Sequence, residues 1–349
     1  MGADVRRRRG RGGARVGSVD MATRVGSVEL GTPVMTASGT AGRGAELGAY
    51  GPLERLGAVV VKSLSADPWP GNPAPRVWGV AAGLLNSVGL QGPGVAAWVE
   101  EDLPALVASG ALVVASIWGR SAEEFERAGA LLSGVPGIAA VEVNVSCPNV
   151  EDRSRMFAHS PAATAEAVAA AGASGLPRWA KLSPNVADVC EIAAAALGAG
   201  AEALTLVNTL LGMAIDVERR CPVLGAGGGG LSGPALHPVA VRAVWECRAA
   251  FPAVGIVGAG GVTCGRDAVE LLMAGADAVQ VGTATFGDPR SVWKVSAEIE
   301  RWCRRHGVGR VAELVGAART VLGTAGAHPG TDPGTDPGTV PGARTGAGA

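Results

Sequence analysis

Lysine is rare in this chain: of 30 basic residues only Lys62, Lys181 and Lys294 carry an ammonium group, and arginine serves elsewhere. Asparagine is as sparse, with six residues, and Asn86, Asn144 and Asn208 fall near the same segments as the first two lysines. An ammonium is a compact cation that pairs with a carboxylate or steadies developing negative charge. An amide donates and accepts at once, so three amides converging on one place suit a small planar ring of alternating C=O and N–H groups. Cys147 lies three residues after Asn144, in the run Asn144-Val145-Ser146-Cys147-Pro148-Asn149. A thiol near an ammonium loses its proton more readily and then acts as base or nucleophile. Each of these residues also has a plain structural reading: a lysine snorkelling at a strand end, an asparagine in a turn, a cysteine as a small buried hydrophobe. Their joint placement is what points to chemistry.

Two glycine turns add a second signal. Gly258-Ala259-Gly260-Gly261 and Gly282-Thr283 have the composition of loops that bind a phosphate through backbone N–H groups. The tract at 225–230 also spells GxGxxG, but it opens no βαβ unit and is read as a chance match, which argues against a Rossmann-type NAD site.

The elements that must position these groups follow from hydrophobic periodicity. Short β-branched runs at 34–37, 58–62, 112–116, 140–145, 179–182, 203–207, 255–258 and 278–282 alternate with longer Ala/Leu/Glu/Arg stretches of helical character. Eight such units predict a closed α/β barrel of the (β/α)₈ TIM type in preference to an open sheet. In that architecture catalytic groups sit at the carboxyl ends of strands. Lys62 ends the second predicted strand, Asn144 ends the fourth, Lys181 falls at the carboxyl end of the fifth, Asn208 follows the sixth, and the glycine turns follow the seventh and eighth. Cys147 starts the loop after the fourth. The segments after the second and sixth strands are unusually long, where a lid or substrate loop is expected.

Composition bounds the rest. The 349 residues are 48% hydrophobic and 17% charged, with a net charge of -1, so the chain can bury a large core and exerts no general pull on nucleic acid or anionic membrane. Six cysteines lack zinc or iron–sulfur spacing and read as free thiols of a cytoplasmic protein, with no metal site. Arg6, Arg7, Arg8 and Arg9 are not followed by the apolar segment that an export signal requires, and no membrane span is predicted. Residues 1–26, Arg/Gly-rich and containing a near-duplicate, read as a flexible leader in which Met21 is an alternative start. Residues 326–349 read as a disordered Pro/Gly/Thr tail, which leaves 27–325 for the barrel.

With these residues in view, the chain resembles the class 1 dihydroorotate dehydrogenases, and most of all the class 1B catalytic subunits. The resemblance runs from about residue 28 to about 313. It is carried by Thr36-Ala37-Ser38-Gly39, Val61-Lys62-Ser63, Leu85-Asn86-Ser87-Val88-Gly89-Leu90-Gln91, the Cys147 run, Lys181-Leu182-Ser183-Pro184-Asn185, Val207-Asn208-Thr209-Leu210-Leu211-Gly212-Met213, Gly230-Leu231-Ser232-Gly233-Pro234, and both glycine turns. It implies FMN as cofactor and oxidation of dihydroorotate to orotate, with Cys147 as the base that takes the C5 proton while hydride passes from C6 to the flavin. It implies that Lys62, Asn86, Ser87, Val88, Gly89, Leu90, Asn144, Asn208 and Thr209 hold the substrate, the lysine facing its carboxylate. Ser38, Lys62, Ser63, Ser116, Asn144, Lys181, Val207 and Gly233 would contact the flavin, with Lys181 at its N1–O2 edge and Gly260, Gly261, Gly282 and Thr283 at its phosphate. Class 1B members pair a homodimeric core with a subunit carrying FAD and an iron–sulfur cluster, which hands electrons to NAD. Class 1A members reduce fumarate directly, and a flavin-barrel dihydropyrimidine dehydrogenase is a further alternative. From other classes, a flavin-free isomerase or lyase acting on a sugar phosphate and a non-enzymatic scaffold barrel remain open. Three positions depart from the family pattern: Ser116 and Gly92 each stand where an asparagine is expected, and Ala226-Gly227-Gly228 replace a more polar stretch.

Overall fold

Residues 18–149 and 155–319 are described by the computed structural model. The eight predicted strands are all present, and all eight join one sheet. In chain order they are Val34–Thr36, Val59–Val60, Val113–Ile117, Ile138–Asn144, Arg178–Leu182, Ala203–Leu206, Gly255–Ala259 and Ala278–Val281. Each pairs in parallel with its neighbours, and the first also pairs with the eighth. The remaining seam, between the first and second strands, is closed by Gly57 N–H donating to Val34 O (2.8 Å) and by the Thr36 hydroxyl, which donates to Val60 O and accepts from Val60 N–H at 2.8 Å. This seam explains why the second strand is shorter than expected. Only two of its residues pair in ladder fashion, and Lys62 is released beyond its end with its N–H on Gly42 O (3.2 Å).

Strand side chains alternate between two environments. Outward positions such as Val141, Val143, Leu204 and Leu206 pack in the large core beneath the surrounding helices. Inward positions near the amino ends, Met35, Val60, Val114, Trp179 and Val257 among them, form a separate apolar plug with Val25, Val28 and Leu30. Those last three belong to the hairpin Thr23–Val25/Val28–Leu30, which seals the bottom of the barrel. Residues 18–26, assigned to the leader from the sequence, have apolar surface to bury: Val19 and Val25 are both buried. Residues 1–17 and 326–349 lie outside the described residues.

One rung higher, the inward positions turn polar: Ser116, Glu142, Lys181, Thr205 and Gln280 are all buried. The cavity opens above them. Both long segments predicted to cover it do so jointly: Val77–Val80 and Gly83–Asn86 from the second connection pair with Leu210–Gly212 and Gly229–Ser232 from the sixth in a four-stranded antiparallel sheet across the mouth. Leu85, Val223 and Leu224 give that sheet its own small core. No helix among the described residues is long and apolar enough to cross a membrane.

Candidate active site

The cavity at the carboxyl face has a volume of about 1040 Å³. That is the upper end of what one small-molecule ligand occupies, so a cofactor and a small substrate fit together. Lys62, Asn86, Asn144, Asn208 and Thr209 all line it, as do Ser87, Val88, Gly89 and Leu90 from the covering sheet's connection. The amides are linked: Asn208 Nδ2 donates to Asn144 Oδ1 (3.3 Å), and Asn144 Nδ2 donates to Ser63 Oγ (3.3 Å). Each amide keeps a further donor hydrogen for a ligand.

Lys62 reaches this cluster across Gly39. The glycine has φ +82, which strains other residues, and a Cβ there would lie 3.1 Å from the lysine Cδ and crowd its stem. The ammonium has no hydrogen-bond or ion-pair partner among the described residues. Burial, reinforced by the charge of Lys181, lowers its pKa from 10.5 to about 8. A cation held unpaired in a cavity is a ready seat for an anionic group on a ligand.

Lys181 is placed differently. Its Nζ donates to Glu142 Oε1 (3.3 Å) and Gln280 Oε1 (3.0 Å), while Glu142 Oε2 accepts from Gln280 Nε2 (2.6 Å) and Thr205 Oγ1 (3.1 Å). Sequence reasoning missed Glu142, Thr205 and Gln280. The signal was there: Glu142 and Gln280 stand two residues before Asn144 and Gly282, hence on the same inward face of their strands.

The two glycine turns and Gly233 meet at the far end of the cavity with Thr283. The N–H groups of Gly260, Gly261 and Thr283 reach no acceptor among the described residues. Gly261 has φ +67, and a Cβ there would sit 2.6 Å from His237 Cβ. His237 Nδ1, 2.9 Å from Gly260 O, ties that carbonyl back. The result is a cradle of free N–H groups that suits a phosphate.

Two expected residues are placed otherwise. Ser116 does not line the cavity; its hydroxyl lies 2.9 Å from that of Ser63, which in turn lies 3.1 Å from Ser38 Oγ at the cavity wall. The shorter side chain cannot reach where an asparagine would, and it supports Ser63 from behind. Gly92 exchanges backbone hydrogen bonds with Trp69 (2.9 and 3.0 Å), a pairing that needs no side chain. Gly227, in the third departing stretch, closes a turn by donating to Leu224 O (2.9 Å).

Cys147 is completely buried and is not part of the cavity wall. Its thiol donates to Gly119 O (3.0 Å) and Asn144 O (3.2 Å), and burial pushes its pKa from 9.0 to about 12. The expected activation by Lys62 or Lys181 does not enter: burial dominates the shift, and the thiol's contacts are the carbonyls of Gly119 and Asn144. Its neighbours face the cavity instead: Ser146 Oγ and Trp118 Nε1 are buried atoms of lining residues without a hydrogen-bond partner among the described residues. Arg120, also in the wall, stacks on Trp69 at 4.6 Å and pairs with Glu124.

Fold and site together define a (β/α)₈ barrel whose mouth gathers an unpaired ammonium, linked amides and free backbone N–H groups in one cavity. The family model for dihydroorotate dehydrogenase matches residues 20–302. A relative from Desulforudis audaxviator, named dihydroorotate dehydrogenase B (NAD(+)), catalytic subunit, is 49% identical over 301 residues, covering 86% of this chain and 98% of its own. Relatives of the same name from Pelobacter propionicus and Geobacter sulfurreducens are 46% and 43% identical, each over 299 residues, 85% of this chain and 98% of theirs. The chain belongs to the dihydroorotate dehydrogenase family, and it is an oxidoreductase with a flavin cofactor. The donors present fit that group: free N–H groups for a phosphate at one end, and Lys181 in the floor for the electron-accepting ring.

Proposed function

We propose that this chain is the catalytic subunit of an NAD-linked dihydroorotate dehydrogenase, oxidising dihydroorotate to orotate in pyrimidine biosynthesis in the cytoplasm, with FMN as its flavin. The observation that carries this reading is the unpaired Lys62 ammonium on the same wall as the linked amides of Asn144 and Asn208. Dihydroorotate is a small ring of alternating C=O and N–H groups bearing one carboxylate. Lys62 receives the carboxylate, and Asn86, Asn144, Asn208 and Thr209 align the ring edge. Ser87, Val88, Gly89 and Leu90 close over it from the covering sheet and exclude water.

FMN, when bound, takes up the hydride from C6 of the substrate. Its phosphate would be held by the N–H groups of Gly260, Gly261 and Thr283, beside Gly233 and Gly282. Ser38, Ser63, Val207 and Lys181 would hold its ring, and the remaining N–H of Lys181 would offset negative charge there. Cys147 takes the C5 proton. For this its Sγ must swing from Gly119 O toward the cavity, and it must lose a proton that burial now holds. The shared wall residue Asn144, whose carbonyl accepts from the thiol, couples that movement to the ring-binding cluster.

Electrons then pass to NAD through a partner subunit bearing FAD and an iron–sulfur cluster, docked on a homodimeric core. Three relatives named as catalytic subunits support a partner. So do Trp78 and Leu211, apolar side chains exposed on the sheet that covers the mouth.

Anaerobic mixing of the flavin-loaded protein with dihydroorotate tests the reaction: the flavin absorbance falls within a single turnover. Unchanged absorbance overturns the assignment. The Cys147→Ala variant is expected to retain FMN and to be reduced at least ~10²-fold more slowly, the usual contribution of a positioned general base. Reduction at the parental rate removes Cys147 from the mechanism. Co-purification with a second flavin subunit and NAD reduction by the complex support the electron route, and full fumarate-linked activity of the isolated chain overturns it.

A further inference from the structure

Glu142 has no role in the mechanism above, yet it is a carboxylate with no exposed surface, bonded to the cavity-lining Lys181. A buried carboxylate persists only where donors and countercharge compensate its lost hydration. Glu142 has both. It accepts from Lys181 Nζ (3.3 Å), Thr205 Oγ1 (3.1 Å) and Gln280 Nε2 (2.6 Å). Because Gln280 Nε2 is committed to Glu142, the other side of the same amide presents Oε1 to Lys181 Nζ at 3.0 Å. Glu142 therefore orients the second holder of the lysine as well as holding it directly. An ammonium has three N–H groups. Two point down into this network, and the third is left for the cavity that Lys181 lines. The four residues come from the fourth, fifth, sixth and eighth barrel strands, so the network is braced by half of the barrel.

We propose that Glu142 is a positioning residue that fixes the direction of Lys181 and offsets part of its charge, and thereby sets how readily the bound flavin accepts electrons. The inference rests on the reading that places the flavin ring against Lys181. A reduced, anionic ring is stabilised by the ammonium, and the carboxylate behind the ammonium weakens that stabilisation. Neutralising the carboxylate leaves more of the positive charge uncompensated, so reduction becomes more favourable.

The test is an equilibrium reduction of the flavin-loaded full-length chain against a dye of known potential. Glu142→Gln keeps the volume and removes the charge. At a fixed potential its ratio of reduced to oxidised flavin is expected to be about tenfold above that of the parent, equivalent to about 30 mV for a two-electron couple. In a Lys181→Met background the same substitution is expected to change the ratio less than twofold. A ratio within twofold of the parent in the single variant overturns the proposal, and so does an equal shift in both backgrounds. Should Glu142→Gln not fold, Glu142→Asp withdraws the carboxylate from Lys181 by one methylene. An increase of about threefold is then expected, and an unchanged ratio again overturns the proposal. A parent protein that takes up no flavin, or whose flavin dihydroorotate does not reduce, contradicts the functional reading instead, which separates the two failures.

Discussion

The two lysines of the cavity sit under opposite rules. Lys181 belongs to a floor whose polar side chains answer one another: Glu142, Gln280 and Thr205 close the network around it. Lys62 belongs to a wall whose groups are left waiting, with an unpaired ammonium, the Ser146 hydroxyl and the Trp118 indole N–H all lacking partners among the described residues. Unmet hydrogen-bonding capacity destabilises a folded chain, so it persists where a ligand meets it. The floor is built for permanence and the wall for exchange. A resident cofactor over the first and a turning-over substrate against the second is the arrangement the contrast describes.

Stability measurements break this comparison most directly. Lys181→Met leaves the Glu142 carboxylate buried without its cation, and truncating one member of such a pair costs about 3–5 kcal/mol. Urea denaturation of the flavin-free protein should register that loss. Lys62→Met removes a cation that burial already disfavours, so its stability should match or exceed that of the parent by up to about 1 kcal/mol. Equal destabilisation by both variants would dissolve the distinction between floor and wall. The same Lys62→Met protein should lose about 10- to 100-fold in kcat/KM for dihydroorotate, the contribution expected of a hydrogen bond to a charged group, with the loss falling mainly on KM. A loss confined to kcat contradicts a carboxylate-binding role.

How much of this was legible in the sequence differs between the same two regions. The strands were legible because short β-branched runs such as Val59-Val60-Val61 and Val113-Val114 recur between longer helical stretches, the pattern of strands buried on both faces. The wall was legible because its residue types are scarce: three lysines and six asparagines leave little room for coincidence. The floor was not. Glutamate is common in the chain, and Glu142 is set apart only by its place on the inward face of a closed barrel, which requires the strand register and the closure to be known together. The Thr36 hydroxyl that completes the closure was hidden for the same reason, since its partner is a backbone 24 residues away. The direction of the Cys147 thiol is a side-chain rotation, set by carbonyls of Gly119 and Asn144 that sequence spacing does not encode.

The pH dependence of turnover sharpens the comparison last. Of the groups assigned to the substrate, Lys62 is lowered to about 8 and Cys147 raised to about 12, both chiefly through burial. Below about pH 8 the ammonium is charged, and only the thiol responds to pH. Its thiolate fraction, and with it kcat/KM, should rise tenfold per unit. Above about pH 8 the free protein loses the ammonium as fast as it gains the thiolate, so kcat/KM should level off. In the complex, a bound carboxylate holds the proton on Lys62, and kcat should continue to climb. KM, the ratio of the two, should therefore be flat to about pH 8 and then rise tenfold per unit. In Lys62→Met that rise should vanish while the climb in kcat remains. A KM that is level from pH 7 to 10 in the parent would assign the carboxylate to another group, and a level kcat would show that a thiol held at about 12 is not the base that limits the reaction.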